Sequence, residues 1–91
     1  MDNKQSLHLI EGTFLPSEAV DILLNLYNQK IKFHELKNFS TQECTGDQDL
    51  YSVKRIPELE ADIETIKKFM AKATISNKKV QIYSTLSIQV V

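Results

Sequence analysis

Apolar and polar residues alternate most regularly near the end of the chain. This period-two pattern predicts a strand over residues 80–91 with one buried and one more polar face. The strand is unusual in that no charged residue lies between Val80 and Val91. Its buried face would carry Val80, Ile82, Ser84, Leu86, Ile88 and Val90.

Two other stretches show the period of an amphipathic helix. The first covers residues 16–30, where Pro16 suits the first helical position because that N–H has no intrahelical partner. The second covers residues 53–76 and is capped by Ser52, or else its regular part begins at Pro57. Acidic residues fill its first half and lysines its second, which complements the helix dipole. Its apolar stripe consists of Ile56, Leu59, Ile63, Ile66, Met70 and Ala73.

The remaining segments are less regular. Residues 6–14 predict a strand with Leu7 and Leu9 on one face and Ile10 and Phe14 on the other, and Gly12 marks a bulge or a close backbone approach. Residues 31–39 fit either a strand or a continuation of the first helix, and we favour the strand. Residues 40–52 are polar and predict a hinge loop.

The order β-α-(β)-α-β predicts a single α+β domain over residues 1–91. Two helices would pack on one face of a small two- or three-stranded, mainly antiparallel sheet. A chain of 91 residues buries only about 60–65% of its unfolded surface, so added burial would be valuable. Cys44 is the single cysteine, which excludes an internal disulfide and leaves oligomerisation as the simplest source of that burial.

Composition excludes several classes of protein. The apolar fraction is 42% and the net charge −1, which argues against intrinsic disorder. No apolar run approaches the roughly 18 residues of a membrane span. The chain starts with polar residues and shows no secretory apolar segment, so we expect a cytoplasmic protein with a free thiol.

Candidate chemistry is sparse. Only two glycines are present, so neither a P-loop nor a dinucleotide fingerprint can be written. His8 and His34 are the candidate acid–base pair or metal ligands, but nothing in their spacing brings them together. The acidic residues Glu43, Asp47 and Asp49 lack the EF-hand pattern. We therefore expect no catalytic, cofactor-binding or metal site, and no enzyme.

The uncharged last strand is the most informative feature. Exposed edge strands are usually protected by lysine, proline, bulges or shortness, and this strand shows none of these. It should be paired on both sides, either centrally within the monomer or against another chain, as in a homodimer or a complex with a partner peptide. We therefore predict a self-associating protein-interaction module. Its interface residues would be Ile82, Tyr83, Thr85, Leu86, Ser87 and Ile88.

A lysine cluster supports an alternative function. Residues 65–91 hold five lysines and no acidic residue, which would suit a small nucleic-acid-associated protein. Arg55 is the single arginine and the chain is slightly acidic overall, which both argue against this alternative. The residues concerned are Lys67, Lys68, Lys72, Lys78 and Lys79.

Parts of the sequence also resemble a known group. The run from Gly12 to Ala19, the run from Asn28 to Leu36, and the run from Ser52 to Leu59 together resemble a group of short bacterial proteins with no assigned function. The resemblance implies no activity. Leu15 departs from it, because Thr or Ser would be the expected helix cap before such a proline.

Overall fold

A computed structural model of the chain describes residues 3–91. The elements follow in the order β1 (Lys4–Phe14), α1 (Pro16–Thr45), α2 (Leu50–Ile75) and β2 (Val80–Gln89). The two strands pair antiparallel in a two-stranded sheet, against which the two helices pack. This confirms the α+β class. No helix within residues 3–91 is long and apolar enough to cross a bilayer.

Helix α1 is much longer than its sequence pattern predicted. It continues through residues 31–39, so the optional third strand is wrong, and through the first part of the predicted hinge, residues 40–45. No proline or glycine interrupts the chain between Pro16 and Gly46, so nothing in that stretch breaks the helix. Gly46 ends it in a left-handed conformation (φ +79°) and donates its N–H to the Gln42 carbonyl at 2.9 Å. The connection to α2 is therefore only residues 46–49.

The start of α1 is confirmed at Pro16 despite the unusual residue before it. Leu15 has no side-chain acceptor, but its backbone N–H donates to Oε1 of Glu18 at 2.9 Å. This is the reciprocal half of a capping box. With leucine at the cap, the helix therefore lacks the hydrogen bond to a cap side chain but keeps the one from the Leu15 N–H to Glu18.

Helix α2 begins earlier than either predicted start. Its N-cap is Asp49, so Ser52 lies inside the first turn rather than at the cap. Pro57 lies inside the helix, where it cannot donate the hydrogen bond that the Val53 carbonyl would otherwise accept. The residues before Pro57 are instead held by contacts with α1 that are described below.

A bulge explains the imperfect alternation of β1. Leu7 pairs with Leu86 and Ile10 pairs with Ser84, and the register shifts between His8 and Ile10. Since residues 84 and 86 lie on the same face of β2, the extra residue Leu9 brings Leu7 onto the face of Ile10. The prediction that Leu7 and Ile10 lie on opposite faces is therefore wrong.

Gly12 allows a close approach rather than a bulge. A Cβ at this position would lie 3.4 Å from the Phe14 ring. The absent side chain therefore leaves room for Phe14 beside the core.

The hydrophobic core sits where the sheet and the helices share an end. Ala19, Met70 and Val80 are buried there, and the chain passes directly from β1 into α1 and from α2 into β2 nearby. Away from this shared end, the hairpin and the helix pair enclose an open groove. The residues packed around the buried three are Phe14, Val20, Leu23, Ile66, Ala73 and Ile82.

Candidate interaction surfaces

The groove between the hairpin and the helix pair has a volume of about 1100 Å³. Ile10 and Ile82 line its sheet side. Leu26, Phe33 and Tyr51 line its helix side. Most of its lining is apolar, and its open shape differs from the enclosed pockets that hold small ligands.

Apolar side chains lie uncovered on the far half of the hairpin. The helix-facing side of β2 is buried at Val80, but Leu86 is 40% exposed and Ile88 is 49% exposed. On β1 their neighbour Leu7 is also half exposed, as is the bulge residue Leu9. We call these four residues the distal hairpin patch: Leu7, Leu9, Leu86 and Ile88.

A second uncovered apolar surface lies at the far end of the helix pair. Phe33 is 59% exposed although it is a large aromatic residue. Its neighbours toward the helix tip are exposed to a similar or greater degree. We call these exposed residues the helix-tip patch, and two of them, Phe33 and Tyr51, line the groove. The residues of the patch are Phe33, Leu36, Phe39, Leu50 and Tyr51.

The predicted interface residues of β2 fall on both faces of the hairpin. Ile82, Leu86 and Ile88 face the helices, and Ile82 already packs against the core. The other three are exposed on the opposite face, where the Tyr83 hydroxyl accepts a hydrogen bond from Nε2 of Gln81 at 2.9 Å. These three are Tyr83, Thr85 and Ser87.

Strand β2 is not central within the monomer. Its only hydrogen-bonded neighbour among residues 3–91 is β1, so its other edge is free. The two strands also have nearly equal lengths of 11 and 10 residues. The sequence predicted that this uncharged strand is either central within the monomer or paired with another chain. The central position is therefore excluded for a single chain.

A polar cluster joins the two helices next to the helix-tip patch. His34 and Ser52 are both buried, and His34 Nδ1 lies 3.0 Å from Ser52 Oγ. Ser52 donates its hydroxyl proton to the Asp49 carboxylate. The backbone N–H of Asp49 donates in turn to Oδ1 of Asn38 at 2.7 Å. This His34–Ser52–Asp49 cluster fixes the first turn of α2 against α1, and sequence reasoning did not find it.

The cluster also sets the state of His34. Because the single Ser52 proton is given to Asp49, the Ser52 oxygen must accept from Nδ1–H of His34. The neutral ring then carries its free lone pair on Nε2. Ser52 is fully buried and its proton goes to Asp49 rather than to the histidine, so this order of groups does not activate it as a nucleophile.

The other candidate residues are not brought together. His34 lines the groove and His8 does not. His8 is exposed on the hairpin, where its Nδ1 lies 3.8 Å from the Glu11 carboxylate. Cys44 is exposed in the last turn of α1, not in a loop. Within residues 3–91 no group of three or more metal-ligating side chains occurs. The five predicted nucleic-acid lysines are exposed on α2 and after it, and one of them, Lys67, lies 3.8 Å from Glu64.

A hydrogen bond between the helices perturbs one titration. The Tyr27 hydroxyl on α1 donates to Oδ2 of Asp62 on α2 at 3.1 Å. Partial burial, and then this bond to the carboxylate, raise the pKa of Tyr27 above its ordinary value of 10.0. The pair belongs to the helix–helix contact, not to a reactive site.

The molecule is far more open than a compact chain of its size. Its radius of gyration is 16.6 Å, whereas a compact domain of this length has about 12 Å. Its accessible surface is 7245 Å², whereas a folded monomer of this mass has about 5400 Å². The excess is large compared with the roughly 800 Å² that each partner buries in a standard interface.

Comparison with known proteins gives no further lead. No protein-family model matches the chain, and no significant match was found among curated proteins or solved structures. Function must therefore be inferred from the surfaces of the chain itself.

Proposed function

We propose that this chain is a cytoplasmic, non-enzymatic protein-interaction module that forms a homodimer through its hairpin. The observation that carries the proposal is the large accessible surface of the chain. Its excess over the surface of a compact monomer is greater than the area that each partner buries in a standard interface. Two uncovered apolar patches account for part of this excess. Exposed apolar patches of this kind mark interaction sites.

The free edge of β2 supports the same proposal. An uncharged, unprotected edge strand is exposed to pairing with another chain. Strand β2 has a free edge and carries no charged residue. A partner that covers Leu86 and Ile88 would also approach this edge.

Matched lysine substitutions on β2 test the proposal. Ile88→Lys places a charge in the distal hairpin patch, and Gln89→Lys places the same charge on the next residue of the strand, which is also exposed. Light scattering behind size exclusion should show a dimer for the wild type and Gln89→Lys, and a monomer for Ile88→Lys. A dimer that survives Ile88→Lys would overturn the hairpin as the contact.

A further inference from the structure

We infer that the distal hairpin patch of one copy covers the helix-tip patch of a second copy, so that each copy's groove receives the hairpin of the other. This inference rests on the proposed homodimer and names the two surfaces that meet in it. The observation behind it is that both patches are apolar, both are uncovered, and both lie away from the core.

The position of the patches explains why each needs a partner. The sheet packs on the helices at their shared end, where Ala19, Met70 and Val80 are buried. Further along the helix pair, Leu59 and Ile63 of α2 are also buried. Strand β1 extends about 33 Å from Phe14 to Lys4 at 3.3 Å per residue. Helix α1 extends about 45 Å from its start at 1.5 Å per residue. Leu86 therefore lies well beyond the shared end on the hairpin, and Phe33 lies well beyond it on the helix wall of the groove.

Two-fold symmetry allows two copies to satisfy each other's contacts. In a two-fold dimer, if the hairpin of one copy contacts the helix tip of its partner, the reverse contact must also form. A single contact type therefore covers all four exposed patches. Neither of the two patches is then left to recruit a third copy, which favours a dimer over an open chain of copies.

The chemistry of the hairpin suits an apolar site. Strand β2 enters with no charged side chain, so this strand brings no charge that has to be removed from water. The walls that would receive it include the aromatic residues Phe33 and Tyr51. On the helix side, Lys30 and Lys54 are exposed and can stay in water at the rim of the interface. The third cation there, Arg55, lies 3.8 Å from the Glu58 carboxylate.

Substitutions on α1 test the exchange separately from dimerisation. Phe33→Lys places a charge in the helix-tip patch, and Asn28→Lys places one on an exposed residue of the same helix that does not line the groove. We expect Phe33→Lys to be monomeric and Asn28→Lys to be dimeric, with unchanged helical circular dichroism in both. If Phe33→Lys stays dimeric while Ile88→Lys is monomeric, hairpins pair with each other and the exchange is wrong, although the homodimer stands. A monomeric wild type would overturn both.

A cross-link between different copies identifies the contact directly. In a Cys44→Ser background, one copy carries Leu86→Cys and a second, tagged copy carries Phe33→Cys. After equal amounts of the two variants are mixed and mildly oxidised, we expect a disulfide between an untagged and a tagged chain in most of the mixed dimers. Predominant linkage between two Leu86→Cys chains would instead show hairpin-to-hairpin packing and contradict the exchange.

Discussion

His34 Nδ1 lies 3.0 Å from Ser52 Oγ, across the contact between α1 and α2. Ser52 is fully buried, and its hydroxyl bridges the imidazole to the Asp49 carboxylate. The bridge therefore holds the first turn of α2 in place next to the helix-tip patch.

Ser52→Ala should lower the free energy of unfolding by about 1–3 kcal/mol, because the His34 N–H and the Asp49 carboxylate both lose their partner. Ser40→Ala, at an exposed position of α1, should change it by less than about 0.5 kcal/mol. Urea denaturation at a fixed protomer concentration measures both values. Equal effects of the two substitutions would show that the bridge does not stabilise the helix pair.

The Tyr27–Asp62 hydrogen bond predicts a pH dependence. Because the pKa of Tyr27 is raised in the folded chain, folding favours the protonated phenol. Its contribution to stability is therefore complete below pH 10.0 and is lost as the pH rises through the higher pKa of the folded state. Absorbance of tyrosinate should show a late titration step that Tyr27→Phe removes.

Tyr51→Phe is the control for this titration, because Tyr51 is largely exposed. This substitution should leave the late step in place. At neutral pH, Tyr27→Phe should also cost about 1 kcal/mol through the lost hydrogen bond. A late step that persists in Tyr27→Phe would assign the raised pKa to another group.

Substitution of Gly46 should affect stability only through the backbone conformation. A Cβ at this position would meet no atom within 4 Å, so no packing is disturbed. The backbone is nevertheless in the left-handed region, with φ at +79°, where a Cβ costs about 1–2 kcal/mol. Gly46→Ala should lower the midpoint of thermal unfolding, and Gly46→Asn should lower it less because asparagine tolerates this conformation better. An equal loss for both would contradict the conformational explanation.

The sequence predicted the presence of helices and strands better than the residues at which they begin and end. Strand β2 was identified by the period-two pattern of residues 80–91, and helix α2 by the apolar stripe from Ile56 to Ala73. Both patterns are clear because each element packs one face against the rest of the fold. The stretch 31–39 was assigned to a strand because the apolar residues Ile31 and Phe33 alternate with Lys32 and His34. On the helix, however, Phe33 is exposed and His34 is buried, so this alternation does not follow burial within the chain. Apolar residues placed for a second copy would produce such a pattern.

The bulge and the polar cluster could not be predicted. The bulge at Leu9 depends on the register with β2, which local alternation does not contain. The partners His34 and Ser52 are brought together by helix pairing, and Ser52 was interpreted as a cap because Ser is a common cap. The pattern of β2 predicted a buried face, but not that the helices of its own chain cover only the part near Val80.

The mass of the wild-type chain in solution tests the homodimer most directly. Sedimentation equilibrium over a tenfold range of concentration should give twice the chain mass of 10.4 kDa. The dimer should persist at moderate salt, because the proposed contact is apolar. A mass of 10.4 kDa throughout that range would contradict the homodimer and the exchange of hairpins built on it.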